Sequence, residues 1–469
     1  MFEHTLSRHL KSGEISRSII TDGSDTCTYG ELPGRFDALD DFAARAGLPG
    51  DECAVLRCGN TLGEAVILLW MLCRKRDFVL LPRVGGDNAR RKLEDANLPE
   101  FCKNTVEFPP DTDTAVVRPN VNYKKYVNDG AGGKIFLRTS GSTAEPKLVR
   151  HSNEKLFENA LNCVDRFALR AADRVIIPVP IYHMYGLGAG FLPGFIAGVS
   201  MHLIDGTNII KYMGCETRFK PNVSYMTPTL CQMSLRTRKS SYAYRLVVTA
   251  GDRINKTTFL DFEERFGKLI NLYGSTELGA IATSDPAASL ETRADGIVMA
   301  MPGVEAALEE MDKDLSELMC RHGSGFETYV DRTGAALAGD ADGWFKTKDL
   351  GRLISRDTFR VIGRTGNSIN RNGILTAFSE VESLMEQGIG EVQFAVVLAK
   401  EEENVRGKTL VACCELKPDA EAEGKDIRAR CFDVMMRHMV PDEVLIMKEL
   451  PRLPNGKFDR KKVEILLNK

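Results

Sequence analysis

Residues 135 to 151, Ile-Phe-Leu-Arg-Thr-Ser-Gly-Ser-Thr-Ala-Glu-Pro-Lys-Leu-Val-Arg-His, run from an apolar strand pattern through a cluster of small, mostly hydroxylated residues to a lysine. Backbone N–H groups and hydroxyls of Thr139, Ser140, Gly141, Ser142 and Thr143 can reach phosphate oxygens without side-chain bulk, and Lys147 adds a mobile positive charge. The same composition also makes plain surface turns. In the common P-loop the lysine directly follows glycine and precedes Ser or Thr, whereas Lys147 sits between Pro146 and Leu148. A kinase-like or GTPase-like phosphate site is therefore disfavoured.

Strand and helix patterns alternate around this segment. Leu62 to Cys73 is apolar and rich in helix formers, Phe78 to Leu81 reads as a short strand closed by Pro82, and Arg90 to Asn97 as a polar-faced helix. Strands are expected at Arg174 to Val179, Ser200 to Ile204, Arg245 to Thr249 and Leu269 to Leu272. Between them fall an apolar packed segment, Leu187 to Ala197, and a helix, Lys256 to Phe266. This alternation implies an α/β fold with layered, mostly parallel sheets. At 469 residues the chain is too long for one core, and two or three domains are expected. A strand pattern at Phe359 to Ile362 ends in Gly-Arg-Thr-Gly, and a boundary there divides 1–365 from 366–469. The second part carries helix patterns at Ser379 to Glu386 and Lys425 to His438 and strand patterns at Val392 to Leu398 and Leu410 to Leu416, a small α+β unit.

Composition narrows the partners. A net charge of −3 gives no reason to expect nucleic acid or anionic membrane. The basic runs Arg74-Lys75-Arg76 and Arg460-Lys461-Lys462 read as solvated faces. Twelve cysteines are scattered without a C-x-x-C or histidine pairs at zinc spacing. Cys413 and Cys414 lie in an apolar strand pattern, where neighbours face opposite sides, so buried thiols are expected. The start, Met-Phe-Glu-His-Thr-Leu, lacks a signal-peptide pattern, and no apolar stretch approaches membrane-spanning length. A reducing, cytoplasmic setting is the expectation.

Four further segments follow in order: Asn271 to Glu277 (Asn-Leu-Tyr-Gly-Ser-Thr-Glu), Asp342 to Asp349 (Asp-Gly-Trp-Phe-Lys-Thr-Lys-Asp), Gly363 to Gly373, and Leu450 to Lys457 with Pro-Asn-Gly-Lys at its end. Together with the first loop they resemble the acyl-adenylate-forming superfamily of acyl-CoA synthetases, aryl-acid and amino-acid adenylation domains, and luciferases. The resemblance spans about two-thirds of the chain and leaves residues before about 130 to pattern alone. It implies a large N-terminal domain and a small, mobile C-terminal domain, with the hinge at the boundary above.

The resemblance also implies a chemistry. ATP and a carboxylic acid, with Mg2+, would form an acyl-adenylate and pyrophosphate, and the acyl group would pass to a thiol, either coenzyme A or a carrier-protein phosphopantetheine. Such a reaction needs positioning and electrostatics rather than a nucleophilic side chain. Thr139 to Thr143 and Lys147 would hold the β and γ phosphates. Tyr273 would lie against adenine, Thr276 would touch the α-phosphate, and Glu277 would bind magnesium. Asp349 matches the carboxylate that accepts the ribose hydroxyls, Arg364 a ribose-contacting arginine, and Gly251 a turn approaching the adenine and acyl pocket. Lys457 matches the lysine that bridges the substrate carboxylate and the α-phosphate, as a compact cation can. His183 matches a histidine bordering the acyl pocket.

Amino-acid-activating members place an aspartate just after that histidine. Here Met184 follows, and a methionine cannot compensate a buried ammonium, so the expected substrate is an aliphatic or aromatic acid, not an α-amino acid. Ala144, Leu148 and Lys348 stand where glycines are usual, and Gly366 where the hinge often carries aspartate or lysine. Lost glycines restrict backbone with positive φ. A degenerate member that binds nucleotide or acyl ligand without turnover is the alternative these departures raise, and retention of Glu277, Asp349, Arg364 and Lys457 argues against it.

Overall fold

Helix Leu62–Cys73 shows how the large unit is built. Thr61 and Glu64 close a capping box at its start, and nearly every residue behind it is buried. A helix that is apolar all round must lie between layers rather than on a surface. This one lies in a core shared with residues of both large sheets, including Leu56, Leu80, Ile135, Val175, Val223 and Val248. The computed structural model describes residues 1–84, 94–108, 115–126, 132–139, 147–206, 208–239, 242–337, 343–371, 374–404, 407–453 and 457–467.

Among those residues one sheet has seven strands and the other thirteen. The smaller is parallel through Lys134–Arg138, Phe78–Pro82, Ala54–Cys58 and Asn104–Glu107, with antiparallel strands on both sides. In the larger, Ile19–Thr21, Ser200–Leu203, Arg174–Ile177, Val223–Met226, Tyr244–Thr249 and Gly267–Ser275 run parallel. It continues as an antiparallel extension from Gly279–Thr283 to Val304–Leu308. The α/β expectation holds, and several of the parallel strands, such as Phe78–Pro82 and Val223–Met226, are short and mostly buried. The extension comes from residues 279–364, whose looser pattern of half-buried strands the sequence reading assigned only at its last strand. The expected helix at 90–97 lies partly outside the described residues, which are helical at 94–96.

Residues beyond Asn367 gather around cores of their own. Helix Phe378–Gly388 packs on the sheet formed by Val392–Asn404, Gly407–Leu416 and Glu443–Met447. Cys413 and Cys414 do face opposite sides: one belongs to a cluster with Leu450 and Val463, the other to a cluster with Val381 and Cys431. All twelve cysteines are free and buried. No helix among the described residues is long and apolar enough to cross a membrane.

The basic runs correct the expectation of solvated faces. Lys75, Lys461 and Lys462 are exposed, but their arginine neighbours are structural. Arg74 pairs with Asp40 at 2.8 Å, Arg76 lies 4.4 Å from the centre of the Trp70 ring, and Arg460 pairs with Glu382 at 2.6 Å. Guanidinium is weakly hydrated, planar and rich in donors, so it is the cation that can be drawn inward.

Gly267 joins helix Lys256–Phe266 to its strand at φ +97, where an added Cβ would stand 2.2 Å from the Tyr244 carbonyl oxygen. Gly267→Ala is expected to cost roughly 2–4 kcal/mol, since both the backbone and the neighbouring strand must give. Urea unfolding measures it, and an unchanged midpoint would contradict this turn.

Candidate active site

Open α/β sheets bind ligands at the carboxyl ends of their strands, and here neighbouring strands deliver the candidate residues to one edge. Thr249 pairs with Asn271, so the turn at Gly251 and the segment Tyr273 to Glu277 leave adjacent strands side by side. Asp349 and Arg364 are direct partners across an antiparallel pair.

Asp349 is the best-buried carboxylate of the group. Tyr273 donates its hydroxyl to one oxygen at 2.7 Å and Arg364 Nε approaches the other at 2.9 Å. Burial raises the Asp349 carboxyl above its usual range, while Arg364 and Tyr273 pull it back. Each carboxylate oxygen has two lone pairs, so both can still accept from a vicinal diol. Tyr273, expected against adenine, thus also fixes the carboxylate expected at the ribose.

Lys348, just before Asp349, adopts φ +59. The left-handed backbone for which glycine is usual at this position is therefore kept without the glycine. Its N–H donates to Glu317 Oε1 at 2.9 Å, and its carbonyl accepts from Thr365 Oγ1 at 3.3 Å, which holds the bend from both ends. Leu148 is accommodated differently: it opens strand Leu148–Ser152 and is buried.

Thr276 and Glu277 are clamped from three sides. His151 Nε2 lies 2.8 Å from the Thr276 carbonyl, Phe326 N–H donates to the Glu277 carbonyl at 2.7 Å, and Tyr329 donates to Glu277 Oε1 at 2.8 Å. Burial pushes the His151 imidazole down to about 4, so near neutral pH it is uncharged and carries its proton on Nε2 as donor. Lys147 Nζ stands 5.7 Å from the centre of the same Tyr329 ring, a cation–π distance that brings the phosphate-loop lysine and Glu277 to one tyrosine. Thr139 N–H donates to the Lys147 carbonyl at 3.4 Å, closing the base of the loop. Ser140, Gly141, Ser142, Thr143 and Ala144 lie outside the described residues.

Lys457 comes from the far end of the chain. Its ammonium donates to the Gly251 carbonyl at 2.5 Å and lies 3.7 Å from Asp252 Oδ2. The Gly251 turn has φ +91. Arg460 holds the lysine-bearing segment from behind through Glu382 and the Val397 carbonyl, the latter at 2.8 Å. His183 is set apart from these contacts. It is exposed in a recess beside Tyr182, with ring centres 4.5 Å apart, and the surrounding protein lowers its pKa. Met184 is buried, its sulfur against Gly188.

Sequence reasoning missed His151, Tyr329 and Asp252. His151, four positions after Lys147, carried a weak signal, since strand alternation puts it on the same face as the apolar Val149. Tyr329 carried none, because only the sheet pairing of Thr328–Val330 with Leu148–Ser152 brings it to Glu277.

Three features thus stand together: a partnered carboxylate at Asp349, a second carboxylate at Glu277, and a lysine reaching over from a separate core. The chain belongs to the AMP-binding enzyme family, matching the AMP-binding enzyme model over residues 104–326 and the AMP-binding enzyme C-terminal domain over 380–457. This is the acyl-adenylate-forming superfamily. Among similar curated proteins, oxalate–CoA ligase of Arabidopsis thaliana is 26% identical over 71% of this chain and 68% of its own length. Indoleacetate–CoA ligase of Aromatoleum aromaticum is 25% identical over 71% of this chain and 67% of its own. The structure of ATP-bound MatB from Rhodopseudomonas palustris shares the fold with a TM-score of 0.81 at 18% identity, covering 100% of this chain and 99% of that one. By class the chain is an AMP-forming acid–CoA ligase, with ATP and coenzyme A as co-substrates.

An L-residue in left-handed backbone costs about 1–2 kcal/mol. Lys348→Gly is therefore expected to stabilise the fold by roughly 1 kcal/mol after glycine's own entropy loss is subtracted. A lowered unfolding midpoint would show that the lysine side chain contributes more than its backbone costs.

Proposed function

We propose that this chain activates a carboxylic acid other than an α-amino acid and transfers it to coenzyme A, with residues 1–365 binding ATP and acid and 366–469 supplying Lys457. The observation that carries the reading is the Lys457 ammonium on the Gly251 turn, beside the strand ends that bear Tyr273, Thr276 and Glu277. A carboxylate oxygen of the acid attacks the α-phosphorus, pyrophosphate leaves with the bonding pair, and the thiolate of coenzyme A then displaces AMP from the acyl carbon. Lys457 lies between acid and α-phosphate and neutralises charge that grows in the first step. Asp349 and Arg364 hold the ribose and Tyr273 the adenine. Thr139 to Thr143 and Lys147 hold the outer phosphates, Thr276 the α-phosphate, and His183 borders the acid.

Glu277 is the residue that would hold Mg2+. Magnesium takes one or two carboxylates and fills its remaining positions with phosphate oxygens and water. A lone carboxylate beside Lys147 fits that habit, and no group of three His, Cys, Asp or Glu that could hold a metal stands among the described residues. The ion would supply charge neutralisation at the phosphates, while Tyr329 and His151 keep Glu277 in place.

Pyrophosphate release with a panel of aliphatic, aromatic and amino acids, with and without coenzyme A, tests the reading. Release that requires an α-amino acid, or ADP as the nucleotide product, would overturn it. Lys457→Ala is expected to abolish adenylate formation while leaving thioester formation from a preformed adenylate largely intact. Equal loss of both half-reactions would remove the assigned role. Glu277→Gln keeps the size and removes the charge, and adenylation should slow by roughly 10²-fold, the cost of losing a major electrostatic group. An unchanged rate at low magnesium would sink the metal assignment.

A further inference from the structure

The Gly251 turn holds more than Lys457. Arg253, two residues on, reaches the helix Phe378–Gly388, where its Nη2 lies 3.6 Å from Glu386 Oε2. The other oxygen of Glu386 accepts from the Ala395 N–H at 3.2 Å, so the carboxylate is braced by its own unit and offered to Arg253. Glu386 has only 7% of its side chain exposed, while Arg253 keeps 35%. Burial lifts the Glu386 carboxyl to about 7, with Arg253 and Arg452 pulling it down and Glu382 pushing it up. A carboxylate this poorly hydrated depends on facing cations for its charge. Three consecutive residues, Gly251, Asp252 and Arg253, thus meet the C-terminal unit through a carbonyl, a carboxylate and a guanidinium.

We propose that Arg253 and Glu386 are positioning residues, a clasp that selects the arrangement in which Lys457 reaches the active site. The proposal rests on the reading of Lys457 given above, and it adds what holds the lysine there. Lys457 alone is a poor anchor: its side chain is 45% exposed and it must release the Gly251 carbonyl to serve the reacting anions. Arg253 and Glu386 form an ion pair with each other instead, so the clasp can stay closed while Lys457 changes partners. The second cross-unit pair, Arg352 with Glu380 at 2.5 Å, lies at the start of the same helix, beside the connecting residues. Glu386 lies six positions further along the helix, where a given rotation moves it more.

Because all twelve native cysteines are buried, cysteines introduced at Ile210 and Lys425, both exposed, take spin labels selectively and report the distance between the units in the full chain. With ATP and Mg2+ present, Arg253→Gln and Glu386→Gln should each lower the ratio of near to far distances by roughly fivefold, the size a half-buried ion pair commands. The double variant should fall no further than either single one. Adenylation should slow by a similar factor in the single variants, with thioester formation from preformed adenylate unchanged. Unchanged distances in Arg253→Gln, additive losses in the double variant, or equal slowing of both half-reactions would overturn the clasp. Since the distances are read without turnover, a wrong role for Lys457 would show only in the rates, and a wrong clasp in the distances.

Discussion

One ammonium group reaches from the C-terminal unit to the larger sheet. Lys457, twelve residues from the terminus, rests on a turn whose strand lies in the centre of the larger sheet. Most of the site's geometry follows from that contact. A lysine on a flexible stem can neutralise two anions only when its backbone is carried close to them, and the carrier is a separate core with its own helix and sheet. The N-terminal strands supply one side of the site, and the C-terminal unit supplies the cation that meets it.

The N-terminal side holds its polar groups by giving each an internal partner. Asp349 would be costly to bury alone, and it has Tyr273 and Arg364. Glu277 is fixed by Tyr329, and the carbonyl before it by a histidine kept neutral by burial. Burial and, to a lesser degree, Lys155 keep His151 neutral against the pull of its bond to the Thr276 carbonyl, which favours the charged form. The polar groups along this edge are thus oriented by partners within the protein itself.

How much of this could be read from the chain depends on range. Leu62–Cys73, Lys256–Phe266 and the strand at Phe78 were legible because periodicity, caps and breakers act within a few residues. The motif residues were legible through family resemblance. The alternation of Cys413 and Cys414 came from strand geometry alone. Tyr329 and Asp252 were invisible because their roles are created by strands and loops far apart in sequence. Arg460 was misjudged for the same reason: a basic run looks solvated until Glu382, 78 residues away, is brought under it. Lys348 was noticed as a missing glycine, but only the backbone shows that the left-handed bend persists, held by Glu317 and Thr365.

The contacts between the two cores differ with distance from the connecting residues 365–367. Close to them an apolar cluster of Leu315, Leu350, Ile362 and Ala377 lies beside the Arg352–Glu380 ion pair, and Ser379 stands so near Gly363 that an added Cβ there would meet its oxygen at 2.3 Å. Further out the described side-chain contacts on the Gly251 turn are ionic or hydrogen-bonded, through Asp252, Arg253 and the Gly251 carbonyl. Apolar area costs free energy in proportion to what is re-exposed, whereas separated surface charges regain their hydration. The apolar seam and the polar rim would therefore differ in what it costs to separate them. The glycines on either side of Arg364 differ accordingly: Gly363 permits the close approach of Ser379, whereas Gly366 has open space around it.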